Sequence, residues 1–232
     1  MIRTATEDGV CVITMDRPAS RNALRPGDLT ALRTAIEEAS TPVVYLQGAG
    51  DAFCAGADLD VVADLAPAAA AAFASHGQTV ATALESYDGA VVAGIDGPAR
   101  GGGLELALAC DVRVATPEAT LAEPGVSLGL FGAWGGTARL PEIVGLGNAL
   151  DLGLSGRVLD AATAREMGLV SRVTDTPRSV AREIAANDGA AVRTVKTRTR
   201  DRGPRAEQEA AEAEAFARLI EDGATDRLDR NG

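Results

Sequence analysis

Two apolar strands that each run straight into a glycine-rich turn constrain this chain more than any other feature. V-V-Y-L-Q (Val43–Gln47) is followed by G-A-G-D-A-F-C-A-G-A-D-L, and V-V-A-G-I (Val91–Ile95) by D-G-P-A-R-G-G-G-L-E-L. A short continuous apolar run bounded by turn residues is the pattern of a strand covered on both faces. Such a strand needs helices packed against it, and the neighbouring sequence supplies them. Leu29, Leu32 and Ile36 recur at helical spacing within 26–39, and 67–86 is an alanine-rich helical stretch. A first strand at Cys11–Met15, a helix opening near Gly102 and a strand at Val112–Ala115 complete an alternation that predicts an α/β fold. The last third is expected to be helical, at 142–154, 161–167, 178–186 and 206–220, with one short strand at 169–173. The polar tail, 222–232, is expected to fray.

Charge and composition exclude several function classes. The net charge of −11 repels nucleic acid and anionic membranes, so neither is expected as a partner. The apolar stretches are too short or too interrupted for a membrane span, and M-I-R-T-A-T-E-D-G lacks the features of a signal peptide, so a cytoplasmic protein is expected. Cys11, Cys54 and Cys110 are odd in number and widely spaced, which predicts buried free thiols rather than disulfides. His76 is the only histidine and has no acid or thiol partners at ligand spacing, so no metal site is expected.

Neither glycine turn is a nucleotide fingerprint. The string GxxxxGK[ST] is absent, and G-P-A-R-G-G-G does not fit G-x-G-x-x-G. Small residues after a buried strand do let backbone N–H groups approach a ligand oxygen closely. Two such N–H groups from separate turns can converge on one carbonyl oxygen and stabilise negative charge there. If Gly102 opens a helix, its N–H also carries the positive end of the helix dipole. Glu105 follows one turn later, where its carboxylate could point back into the same pocket. The alternatives at this level are a plain loop for each glycine cluster and a salt-bridged helix residue for Glu105.

Taken together, four ordered stretches resemble the enoyl-CoA hydratase/isomerase (crotonase) superfamily: D-R-P-A-S-R-N-A-L (Asp16–Leu24), A-F-C-A-G-A-D-L (Ala52–Leu59), I-D-G-P-A-R-G-G-G-L-E-L-A-L-A-C-D (Ile95–Asp111) and L-G-L-F-G-A-W-G-G-T-A-R-L-P-E-I-V-G (Leu128–Gly145). The resemblance implies a crotonase-type spiral of ββα turns over 1–175 and a helical C-terminal region over 176–232. It implies an acyl-CoA thioester as substrate, with no cofactor beyond the coenzyme A of that substrate, and a homotrimer or dimer of trimers. By motif match the thioester oxygen falls between the N–H groups of Ala57 and Gly102. Substrate and coenzyme A contacts fall on Arg21, Asn22, Ala23, Ala55, Gly56, Asp58, Leu59, Gly101, Gly125 and Trp134. Arg17, Arg21 and Arg25 are candidates for its phosphates.

Hydratases of this family use two glutamates. The first matches Glu105. The second should follow the proline of A-E-P-G-V-S-L-G, where this chain has Gly125. Three readings follow. Glu123, two residues earlier, could replace the missing group by reaching through the space Gly125 vacates, as i and i+2 share a face in an extended segment. A one-carboxylate reaction, decarboxylation or isomerisation, could operate with Glu105 alone. A non-catalytic acyl-CoA-binding protein is the third. The family's closing glycine turn and lysine-rich helix are short here.

Overall fold

The structure, a computed structural model, describes residues 1–224. The strands are β1 (Ile2–Glu7), β2 (Val10–Met15), β3 (Val43–Gly48), β4 (Ala90–Ile95), β5 (Pro98–Arg100), β6 (Val112–Ala115), β7 (Thr120–Ala122), β8 (Leu159–Asp160) and β9 (Arg172–Val173). The helices are α1 (Pro26–Glu37), α2 (Leu59–Ala63), α3 (Pro67–Ser86), α4 (Gly102–Ala109), α5 (Gly136–Ser155), α6 (Ala161–Glu166), α7 (Pro177–Ala185), α8 (Gly189–Arg200) and α9 (Arg205–Leu219). Short 3-10 turns lie at Pro18–Ser20 and Pro124–Leu128.

The main sheet has the order β1-β2-β3-β4-β6-β9, and every pairing is parallel except the β1–β2 hairpin. Strand pleating divides its side chains cleanly between two faces. Cys11, Ile13, Met15, Val44, Leu46, Val91, Ala93 and Ile95 join the large core shared with α1, α3 and α4. Val10, Val12, Val43, Tyr45, Ala90 and Val92 point the other way and pack on Val180 and Ala181 of α7. The apolar runs seen in the sequence are therefore strands covered on both faces. α7 closes the back of the sheet, although it lies beyond the boundary expected at 175.

A second, smaller sheet runs β5-β7-β8. Parallel bridges Leu24↔Ala57 and Cys54↔Ala99 extend it. Successive passes of the chain thus place a strand in the main sheet, a short extended segment in the second, and a helix outside. This is the ββα spiral, and it stacks the two glycine turns beside each other.

All three cysteines are buried free thiols. Burial pushes Cys54 and Cys110 up to about 12, so both are inert thiols. At the C-terminal side, α8 is fastened to the core by charge. Asp111 pairs with Lys196 at 3.0 Å and Arg200 at 2.8 Å, and Arg200 and Arg139 both pair with Glu85. Lys196 also donates to the carbonyls of Tyr87 and Gly89. No helix among the described residues is long and apolar enough to cross a membrane.

Candidate active site

Two residues with unpartnered backbone donors line one cavity. In the bridge with Leu24, Gly56 uses its C=O and Asp58 its N–H. Ala57, between them, turns its own N–H to the opposite side. Gly102 is the first residue of α4, where helix N–H groups have no intrahelical acceptor. Among the described residues no protein acceptor takes either N–H. The chain turns into α4 at Gly101 with φ +47 and ψ −123, a conformation suited to glycine. Gly56 presses the two turns together: a Cβ there would lie 2.9 Å from Gly102 N. Ala57 and Gly102 both line a cavity of about 280 Å³. Glu105 lines it too, and so do Ala55, Leu59, Gly101, Gly125 and Trp134, five of the ten expected substrate contacts.

Glu105, in the first turn of α4, is only 1% exposed. Its Oε1 accepts the N–H of Trp134 at 2.9 Å and that of Gly136 at 2.6 Å. Gly136 opens α5, so the carboxylate sits at the positive end of a second helix. Burial raises the Glu105 carboxyl above its ordinary range, and those two N–H groups and the Arg139 guanidinium pull it part of the way back. Glu105 is therefore not a salt-bridged surface residue. The Trp134 ring lies in a slot that needs two glycines: a Cβ on Gly77 or Gly102 would come within 2.2 or 2.4 Å of it. Phe73 meets the ring edge-on at 5.8 Å between centroids.

Glu123 is buried as well, 7% exposed, and neither of its side-chain oxygens has a hydrogen-bond partner. Burial, and then the charge of Glu105, push it up to about 8. Gly132 lies between the two acids. A Cβ on it would be 2.8 Å from Glu105 Cδ and 2.8 Å from Glu123 Oε2, so these atoms are no further apart than twice that distance.

The route to this position differs from the one the sequence suggested. β7 ends at Ala122, and residues 124–128 form a 3-10 turn, so Glu123 and Gly125 do not share a strand face. Nor does Gly125 leave a space. A Cβ there would meet Phe131 Cα at 2.9 Å and Leu130 O at 3.1 Å, because the following loop folds over it. Glu123 lines a second cavity of about 360 Å³, on the far side of Phe131 and Gly132.

Several expected substrate contacts have other work. Asn22, 1% exposed, accepts from Arg17 N and donates to the carbonyls of Ala49 and Ala52, pinning the turn. Asp58 caps α2 through Asp60 N and takes Arg17 and Arg25 on Oδ2 at 3.0 Å. Arg17 and Arg25 are thus committed to a buried carboxylate. Arg21 is exposed, with no acid partner among the described residues. Ala23 is buried, and it and Gly56 serve the backbone of the turn. Sequence reasoning missed Gly132, Gly136, Gly77 and Phe73. The first two belong to the quoted G-A-W-G-G-T string, where a helix start after small residues was a usable signal. Among the described residues no cluster of three or more metal-ligating side chains forms. A larger cavity of about 640 Å³ lies between the core and α8, but its charged groups are mostly paired with one another.

Comparison with known proteins follows the same line. The family profile described as "Enoyl-CoA hydratase/isomerase" matches residues 5–224. YngF of Bacillus subtilis is 39% identical over 204 residues, 83% of this chain and 78% of its own length. A short-chain-enoyl-CoA hydratase of Clostridium acetobutylicum is 34% identical over 201 residues, 82% of this chain and 77% of its own. The crystal structure of an enoyl-CoA hydratase from Bacillus anthracis superposes with a TM-score of 0.90 at 34% identity, over 98% of this chain and 93% of that one.

Proposed function

The chain belongs to the enoyl-CoA hydratase/isomerase family, whose members act on acyl-CoA, and from that membership we propose that it is an enoyl-CoA hydratase-like lyase. It adds water across the double bond conjugated to the thioester, with Glu105 and Glu123 as the two carboxyl groups. The observation that carries this reading is the unpartnered, buried Glu123 carboxyl beside Glu105. Burying a carboxyl without a partner is costly, which supports a role in chemistry over one in architecture.

The thioester oxygen accepts hydrogen bonds from Ala57 N–H and Gly102 N–H. As water attacks the β-carbon, negative charge builds on that oxygen, and the two donors and the α4 dipole stabilise it. Environment separates the two acids. Glu105, its Oε1 held by two N–H groups, is the base that takes a proton from the attacking water. Glu123, neutral up to about pH 8, stands across Gly132 from Glu105 and is the acid that protonates the α-carbon once the substrate displaces that segment. The proton on Glu105 then returns to Glu123, which restores both groups.

Coenzyme A enters as part of the substrate, past Ala55 and Leu59, with Arg21 turned to its phosphates; no other cofactor is assigned. A homotrimer is proposed for the assembly. Val195 on α8, with Phe216 and Ile220 on the last helical stretch, leaves apolar surface in water, which supports contact between copies. Decarboxylation of a malonyl-type substrate has less support. It would bring a third carboxylate to two acids, and among the described residues no cationic side chain lines either cavity.

The test is loss of the conjugated-thioester absorbance of crotonyl-CoA, with butanoyl-CoA binding measured in parallel and sedimentation for the assembly. Turnover supports the lyase. Binding without turnover would return the function to one-carboxylate chemistry or simple acyl-CoA binding.

A further inference from the structure

We propose that Arg139 is a positioning residue for Glu105, held over the backbone turn that grips the carboxylate, and that Glu85 is the counter-charge that sets how strongly Arg139 acts. The inference rests on the reading of Glu105 as the base and deepens it. The turn is Trp134-Gly135-Gly136. Trp134 and Gly136 give their N–H groups to Glu105 Oε1, and Gly135 between them has φ +106. Arg139 lies in the first turn of α5 and donates its own N–H to Gly135 O at 3.1 Å. Its side chain folds back over the same glycine, so that a Cβ on Gly135 would collide with Arg139 Nη1. Nη1 has no hydrogen-bond partner among the described residues, whereas Nε and Nη2 are both spent on Glu85 Oε2, at 3.3 and 2.7 Å. Glu85 is fixed in turn by Arg200 of α8, on Oε1 at 2.8 Å. The guanidinium, on a side chain 15% exposed, is thus locked with one nitrogen on the turn and two on an acid of α3.

This placement suits a buried base. A carboxylate as buried as Glu105 gives up its charge unless something compensates. A guanidinium in direct contact would hold the charge but occupy the oxygen that must take a proton. Arg139 stands behind the turn instead, and Glu105 Oε2 has no protein partner among the described residues. Burial pushes the Glu105 carboxyl up; the N–H groups of Gly136 and Trp134, and then the charge of Arg139, oppose it. The other charged group beside Glu105 is Glu123, across Gly132. The helix that carries Glu105, α4, holds no second acid or base. On α5, Glu142 pairs with Arg202, and on α3, His76 is turned to Thr30. Glu85 is therefore the acid whose charge works directly against Arg139.

The experiment follows the Glu105 carboxyl by carbon-13 NMR of glutamate-labelled protein, its resonance assigned by its loss in Glu105→Gln. The pH profile of crotonyl-CoA hydration and the affinity for butanoyl-CoA are measured beside it. Arg139→Gln removes the cation, so the Glu105 titration should move up by roughly one pH unit. The acid limb of kcat/KM should move with it, a loss of roughly tenfold below the midpoint, while butanoyl-CoA affinity is retained. Glu85→Gln removes the opposing charge and keeps an acceptor for Arg139. It should move both midpoints the other way, by roughly half a unit. Arg139→Lys keeps the charge and should titrate like wild type. A pair that only fastened α3 to α5 would shift both glutamine variants alike, or neither. Shifts of one sign, no shift, or a lysine variant that follows the glutamine one overturns the inference. Absence of turnover in wild type counts against the lyase reading alone, because the NMR titration still decides this one.

Discussion

At the scale of single residues, the pair Glu105 and Glu123 makes the sharpest commitments. The folded chain keeps a proton on Glu123 that the unfolded chain gives up near the ordinary value of 4.5. Its contribution to stability is complete below that pH and is lost as pH rises through about 8. Glu105 is shifted in the same direction and affects wild type and variant alike. Glu123→Gln cannot ionise. Its unfolding free energy, followed by denaturant melts, should pull ahead of wild type between about pH 5 and pH 9, by a gap on the order of a few kcal/mol. Parallel curves would mean that Glu123 is not buried as a neutral acid. The same proton sets an alkaline limit on catalysis: kcat/KM should decline above about pH 8, and a rate still rising there would remove Glu123 from the acid role.

At the scale of elements, the site depends on how α3, α4 and α5 meet around Trp134. Gly77→Val would drive a Cβ into the indole, which a Cβ already approaches to 2.2 Å. A loss of roughly 1–3 kcal/mol is expected in denaturant melts. Trp134 is the only tryptophan, so its emission reports on this joint directly. The emission should shift in Gly77→Val and on adding butanoyl-CoA to wild type; an indifferent spectrum would place the ring away from the ligand. Much of this level was legible in the sequence. The start of α3 at Pro67, the opening of α4 at Gly102 and the strand at Val112–Ala115 all lie where periodicity and turn residues put them. Other elements were not. β1 was passed over because five of its six residues are exposed, although Asp8-Gly9, both at positive φ, is a hairpin turn signal. α5 begins six residues before the expected 142, since its first turn is glycine and threonine, and Gly145 breaks it. β5 and β7 are only three residues each, and pairing rather than propensity defines them.

At the scale of the whole molecule, the spiral decides what local pattern could not. Glu105 and Glu123 lie 18 residues apart and meet through a glycine in a third segment, Gly132. No spacing rule states that contact. The two-residue period invoked for Glu123 put it near the site for a reason that the 3-10 turn at 124–128 removes. The C-terminal helices depend on a different long-range link, Asp111 to Lys196 and Arg200. Asp111→Ala leaves a half-buried lysine without its acid and also takes the acceptor from Val91 N. A loss of about 2–4 kcal/mol is expected, with faster amide exchange across α8 and little change in α1. Uniform exchange would show that α8 is held by its apolar face alone. The measurement that bears most directly on the function is steady-state hydration of crotonyl-CoA by wild type, Glu105→Gln and Glu123→Gln, with butanoyl-CoA affinity as control. Expected is turnover in wild type, a fall of roughly 10²–10⁴-fold in each variant, and preserved binding in all three. Full activity in Glu123→Gln would contradict the two-carboxylate site.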